Sequence, residues 1–305
     1  MIFTVLFIYL MSFLAEKPPV MDAGFSLTEI RPESTLSDTT RNEKPRLMLL
    51  PILFRSPETG FALGVLPQLI YRSVSSSNPS TLRLDSYYTQ NNQYQILLRT
   101  NNWIQDDRLQ ITARVSIKKW PTSFYGIGNN TPTYLKETFT ESLYEAEGAV
   151  RRRIWTNFFI GMGGSVRFAR ISSIDPDGIL AEGAVHGSSN TFIAGIDAGV
   201  SYDTRDNHFF PSSGSLHRLT LYLSPAFAGS DYTFTRASID FREYIALHKS
   251  QVLALRAYGA FSWGDVPFRL MPSAGRSLRG YPAPRFIDQH SVSAQLEYRI
   301  VPLFW

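Results

Sequence analysis

Leu109-Gln110-Ile111-Thr112-Ala113-Arg114-Val115-Ser116-Ile117-Lys118 alternates aliphatic and polar residues without a break. In an extended chain successive side chains point to opposite faces, so one face of this segment is apolar and the other polar. Such a strand can set lipid against one side and water against the other. A soluble sandwich uses the same alternation, so the rest of the chain must decide between them.

The pattern recurs. From Arg46 onward about twelve segments of strand length follow one another. They fall near 46–56, 61–73, 81–91, 93–101, 108–120, 142–155, 158–172, 190–203, 215–225, 232–245, 251–263 and 291–303. None carries the 3.6-residue periodicity of a long helix. If the first strand starts on the periplasmic side, connections after odd strands are extracellular and those after even strands periplasmic. The long connections, 121–141, 173–189 and 264–290, follow the fifth, seventh and eleventh strands, so all are predicted outside. Those around Thr156-Asn157 and Leu247-His248-Lys249-Ser250 are tight and fall inside. Long outer loops with short periplasmic turns are the pattern of outer-membrane barrels.

The faces can be assigned strand by strand. Leu109, Ile111, Ala113, Val115 and Ile117 should meet lipid, as should Leu219, Leu221 and Leu223 of the ninth strand. In the tenth strand Ala237, Ile239 and Phe241 point out and Arg236, Ser238, Asp240 and Arg242 point in. In the last, Val292, Ala294, Leu296, Tyr298 and Ile300 point out, with Ser293, Gln295, Glu297 and Arg299 inside. The sixth gathers Glu145, Glu147, Arg151 and Arg153 on one side. A dry core could not hold so many charges cheaply, whereas a wet lumen lets them stay hydrated or pair.

Composition is compatible with this. Charged residues make up 18% of the 305 and aromatics 13%, a balance that suits aromatic girdles in a membrane but also an ordinary β protein. The formal net charge of +4, with Arg151-Arg152-Arg153 as the longest basic block, gives no support to nucleic-acid binding. The absence of cysteine excludes disulfides, thiolate metal sites and a cysteine nucleophile.

Ahead of the strands, Ile2 to Ala15 form an apolar run shorter than the roughly 18 residues of a spanning helix. It fits a secretory signal over 1–15. No Lys or Arg precedes it, however, and Phe13 stands where a small residue is preferred, so a buried N-terminal element is the alternative. Residues 16–45 are polar and aperiodic and read as a periplasmic linker or plug segment.

Three motifs are more specific than the alternation. Leu278-Arg279-Gly280-Tyr281 lies late in the long loop before the last strand. Asp203-Thr204-Arg205-Asp206-Asn207-His208-Phe209-Phe210-Pro211-Ser212-Ser213-Gly214 joins strands eight and nine. Phe124-Tyr125-Gly126-Ile127-Gly128-Asn129-Asn130 sits in an outer loop. With Glu297-Tyr298-Arg299, these resemble the BamA/TamA superfamily of outer-membrane barrels, the bacterial surface antigen family, over residues 46–305.

The resemblance implies an all-β fold, an antiparallel transmembrane β-barrel of about sixteen strands with about twelve present here. It implies that the loop carrying Arg279 folds back into the lumen and that Arg279 lodges against carboxylates, for which Glu297 and, more weakly, Asp288 are the candidates. Gly280 would allow close backbone approach and Tyr281 would pack beside it. Asp203, Arg205, Asp206, Pro211 and Gly214 would form the periplasmic turn, their carboxylates accepting backbone N–H groups. A metal site there is disfavoured, because Arg205 intervenes between the acids. Relatives that insert proteins carry periplasmic POTRA domains, and about thirty residues before the first strand leave no room for one. About four strands follow the loop in the family, whereas here the sequence reaches Val301-Pro302-Leu303-Phe304-Trp305, so the expectation is a barrel incomplete at its C-terminus.

No enzyme signature emerges. There is no Gly-x-Ser-x-Gly elbow, His-Glu-x-x-His or phosphate loop. Gly161-Met162-Gly163-Gly164-Ser165 lies in a strand, where small residues serve close packing. His186, His208, His217, His248 and His290 lack metal-ligand spacing, and Ser215 with His217 shows no orienting acid. The expected function is insertion or translocation of protein or lipid at the cell outer membrane, with a solute channel or structural barrel as the alternative. No cofactor is expected. The partners implied are outer-membrane lipid, and unfolded outer-membrane client proteins or a separate periplasmic partner.

Overall fold

A computed structural model describes residues 44–56, 59–73, 76–208, 210–248, 250–278 and 280–300. The expected signal segment 1–15, nearly all of the linker segment 16–45, Arg279 and residues 301–305 lie outside the described residues.

Twelve strands form one sheet in sequence order. They are β1 (Arg46–Ser56), β2 (Gly60–Tyr71), β3 (Ser80–Thr89), β4 (Tyr94–Ile104), β5 (Leu109–Phe124) and β6 (Glu137–Trp155). Then come β7 (Phe158–Ser172), β8 (Thr191–Asp203), β9 (Gly214–Ser224), β10 (Phe234–His248), β11 (Gln251–Gly264) and β12 (His290–Ile300). Each neighbouring pair is antiparallel. Among the described residues no ladder joins β1 to β12, so each presents a free edge.

Alternation fixes the register, because a slip by one residue would turn every side chain to the wrong face. Outward go Leu219, Leu221, Leu223, Val292, Leu296, Tyr298 and Ile300, all exposed. Inward go Gln110 and Ser116 of β5, Glu141 and Glu145 of β6, Arg167 of β7, and Arg236 and Asp240 of β10, all buried. A soluble domain does the reverse. Outward aliphatic residues with inward ion pairs suit a lipid exterior and a polar lumen.

The sheet curls. Trp103 on β4 stacks on His208, beyond the end of β8, with ring centres 5.7 Å apart. Strands lie about 4.8 Å apart, so a flat sheet would hold these rings well beyond contact. Glycines on the inner face of β7 and β8 allow close cross-strand packing: a Cβ on Gly195 would stand 2.1 Å from the Tyr222 hydroxyl, and one on Gly161 would stand 2.7 Å from Arg151 Cγ. The Gly161-to-Ser165 run is therefore part of the wall.

Strands β5 and β6 extend further than the alternation suggested, to Phe124 and from Glu137. Pro121 pairs with Thr140 within this extension. The loop between them shrinks to 125–136 and still lies, with 173–190 and 265–289, at one end of the sheet.

Candidate functional site

The loop 265–289 between β11 and β12 does not project away from the sheet. Val266, Phe268, Leu270 and Met271 are buried in a cluster with Phe124, Phe139, Leu180, Ile193, Tyr222, Phe234 and Ile287. Phe268 meets Phe124 edge-on at 5.0 Å and Phe139 at 5.7 Å. Five of these eleven residues come from the loop-side ends of strands β5, β6, β8, β9 and β10, one from the loop after β7 and five from loop 265–289 itself. The cluster therefore ties the outer loops together across the curled sheet. Glu137 holds the loop after β7 by accepting the N–H groups of Ile179 at 2.7 Å and Leu180 at 3.2 Å.

Beneath this apolar layer the loop sends one cation into the wall. Arg269 donates to Glu141 through Nε at 3.1 Å and Nη2 at 2.7 Å. This is the two-pronged geometry in which a guanidinium binds a carboxylate best. Glu141 is 0% exposed and also takes Arg167 Nη2 at 2.7 Å and Lys118 Nζ at 3.0 Å. Arg167 reaches on to Glu145 at 3.0 Å, and Arg114 closes the chain to Glu145 at 3.2 Å and Glu147 at 3.5 Å. Strands β5, β6 and β7 and the loop thus share one network. The Arg269 guanidinium also lies over the Phe139 ring at 5.5 Å.

Further bonds hold the loop in shape. Arg236 donates to the Leu270 carbonyl and, through Nε, to Ser262 Oγ at 3.0 Å. The Ser273 hydroxyl lies 2.6 Å from both the Ala283 and Arg285 carbonyls. Arg285 donates to the Thr131 carbonyl at 2.6 Å and sits between Tyr125, at 4.7 Å, and Phe286, at 4.5 Å. Gly128 N–H donates to the Ile287 carbonyl at 2.8 Å. The Phe124-to-Asn130 motif is thereby one wall of the cradle for this loop.

The other expected residues fall as follows. Leu278 ends the single helical turn Ala274–Ser277, Gly280 has φ +88°, and Tyr281 is exposed and packs edge-on against Phe286 at 5.5 Å. Arg279 itself lies outside the described residues, so its pairing with Glu297 or Asp288 does too. Glu297 accepts from Arg299 Nε at 3.0 Å, and Asp288 Oδ1 accepts Gln289 N–H at 2.7 Å.

In the turn, Asp203 accepts Arg205 at 2.9 and 2.8 Å, and Asp206 accepts the N–H groups of Ser212 at 2.9 Å and Ser213 at 3.2 Å. Burial works against the charged form of Asp206, yet these bonds and the Ser212 hydroxyl hold its carboxyl below the usual carboxylate range. Pro211 is buried and Gly214 has φ +93°.

Sequence reading passed over Arg269 and Glu141. Glu141 continues the inward series Glu145 and Glu147 two steps further up β6. That spacing was the available signal.

An all-antiparallel curled sheet with a lipid-compatible exterior, a charged interior and a loop folded into its concave side defines a membrane β-barrel braced from within. The profile of the Omp85 superfamily domain matches residues 78–288, and the chain belongs to that superfamily. Among solved structures it is similar to BamA from Haemophilus ducreyi lacking POTRA domains 1–3, with a TM-score of 0.51 and 14% identity. The match covers 79% of this chain and 45% of that one, so this chain spans less than half the length of its structural relative. No curated protein matches the sequence significantly. Omp85 barrels reside in the outer membrane.

Proposed function

We propose that this chain works in the outer membrane as an insertion or translocation barrel for polypeptide or lipid, with loop 265–289 as its internal brace. The observation that carries this reading is the lock of Arg269 on the buried Glu141 beneath an apolar cap. A brace fixed to β5–β7 keeps that part of the wall rigid and leaves movement to the strands away from it. A general diffusion pore has less use for a loop packed across its outer end. In this proposal Arg279, with Glu297 or Asp288 nearby, is a second contact of the same loop, and the Asp203-to-Gly214 segment is the turn at the periplasmic rim. Residues 1–15 act as the export signal and 16–45 as linker or plug. The partners are outer-membrane lipid and unfolded barrel clients or a separate periplasmic factor.

The polar, ion-paired inner wall favours a second reading, a solute channel or structural barrel, because such walls also line aqueous pores. The two separate on depletion of the protein, with the other outer-membrane barrels quantified by mass spectrometry. The proposal expects those barrels to fall, native protein to restore them, and Arg269→Ala to restore them poorly while still reaching the membrane. Unchanged barrel levels, together with a steady solute current through the native protein in planar bilayers, would overturn it.

A further inference from the structure

Three polar side chains interrupt the outward face near one end of β9 and β10. Ser215 Oγ donates to Glu243 Oε2 at 2.5 Å, and His217 Nε2 lies 2.6 Å from Glu243 Oε1. Ser215 and Glu243 face each other across the ladder, and His217 faces Phe241. All share the face of Leu219, Ile239 and Phe241. The side chains of His217 and Glu243 are 37% and 42% exposed. Around them stand Tyr202 from β8, 6.3 Å from the imidazole, and Phe241, edge-on at 4.9 Å. Leu255 of β11 lies beside Glu243, and Tyr202 lies beside His217.

The acid that the sequence did not reveal is thus Glu243, but its position is wrong for hydrolysis. Serine and histidine both bond the carboxylate rather than each other, so no base stands on the serine hydroxyl.

The position does suit a membrane interface. The cluster lies close to the turns 204–213 and 249–250, the end that loop lengths assign to the periplasm. Trp155 and Phe158, paired at 5.6 Å at the same end of β6 and β7, continue an aromatic row through Tyr202 and Phe241. Such rows sit at headgroup depth. An anion on this face is costly among acyl chains and is stabilised by a cation among headgroups. Glu243 is the one carboxylate of the cluster, its oxygens set against the Ser215 hydroxyl and the His217 imidazole. The neighbours on β8, β10 and β11 that face it are Tyr202, Phe241, Ile245 and Leu255, none of them cationic.

We propose that Glu243, with His217 and Ser215, binds the headgroup of a phospholipid bearing a primary ammonium. The ammonium donates to the Glu243 carboxylate, its methylenes lie against Tyr202 and Phe241, and the acyl chains run over Leu219, Leu221 and Ile239. A quaternary ammonium has no N–H to donate and binds less well. This inference rests on the membrane-spanning orientation and not on the insertion activity.

The test is reconstitution of the full chain in nanodiscs with equal amounts of ethanolamine-, choline- and glycerol-headgroup phospholipids of identical acyl chains. Lipid retained by the protein is then counted by native mass spectrometry. The native chain should retain the ethanolamine lipid about threefold over the choline lipid, the scale of one partly exposed ion pair. Glu243→Gln should abolish the preference and Glu243→Asp should keep it, with folding of each checked by its heat-dependent gel mobility. Equal retention of the three lipids by the native chain overturns the proposal whatever the variants do. So does a preference for the anionic glycerol lipid, or an ethanolamine preference that survives Glu243→Gln.

Discussion

Glu141→Ala should destabilise the folded barrel by about 3–5 kcal/mol, the scale for removing one partner of a buried ion pair. The size follows from what the substitution leaves behind. Glu141 is the shared anion of Arg269, Arg167 and Lys118, at 2.7, 2.7 and 3.0 Å. Removing it places three cations around an empty position, and only Arg167 keeps another carboxylate within 3.0 Å, that of Glu145. Desolvated cations without a counter-charge repel one another strongly where water is scarce. Urea unfolding in detergent micelles gives the loss directly. The same variant should expose loop 265–289 to trypsin at Arg276 or Arg285, because the loop loses its deepest anchor. Arg269→Ala should cost less, since Glu141 then retains Arg167 and Lys118. A double-mutant cycle on Arg269 and Glu141 should return a coupling of about 1–3 kcal/mol. A coupling near zero would mean that the apolar cap alone holds the loop, and the brace would have to be reassigned to Phe268 and its neighbours.

How far these features can be read in the chain differs by kind. Strands of a two-faced sheet announce themselves, because each residue is chosen by its side. Leu109 to Lys118 and Leu219 to Leu223 have the faces their alternation assigns. The start of β6 escapes the alternation because Thr138-Phe139-Thr140 pairs threonines with one aromatic and carries no aliphatic run. The strand there is held by its partners on β5 and β7, and its outward side lies at the rim, where threonine serves as well as leucine. That shortfall hid Glu141. Arg269 could not be paired from sequence at all, because its partner lies 128 residues away in the chain and is brought near only by the curl of the sheet. The Ser215–Glu243 contact, 28 residues apart, depends in the same way on the β9–β10 register. Motifs behave differently. The bonds of Asp203 to Arg205 and of Asp206 to Ser212 and Ser213 lie inside the Asp203-to-Gly214 segment, so these acids can be read as turn acceptors without the fold.

That turn carries the second large effect: Gly214→Ala should cost about 2–4 kcal/mol, combining backbone strain with a backbone collision. Gly214 has φ +93°, where an L side chain is strained. A Cβ there would stand 2.3 Å from the Thr204 carbonyl oxygen and 2.7 Å from its carbonyl carbon. Neither atom can rotate away. Thr204 and Ser215 close the neck of the turn, Thr204 N–H donating to the Ser215 carbonyl at 2.9 Å and Ser215 N–H to Thr204 Oγ1 at 2.9 Å. A methyl group that forces the neck apart breaks both bonds and shifts Ser215 away from Glu243. Calorimetry or urea unfolding of Gly214→Ala measures the cost, and a loss below about 0.5 kcal/mol would show that the turn re-forms around alanine. Asp206→Ala provides the contrast in the same turn. It removes an acceptor for Ser212 and Ser213 without straining the backbone, so the cost should be smaller and should depend on pH. The folded-state carboxyl of Asp206 lies below its unfolded value. Its contribution is therefore present above the unfolded pKa of about 3.9 and fades as pH falls through the folded one. The gap between native and Asp206→Ala unfolding curves should narrow below about pH 4. The deficit of Gly214→Ala, which involves no proton, should stay constant.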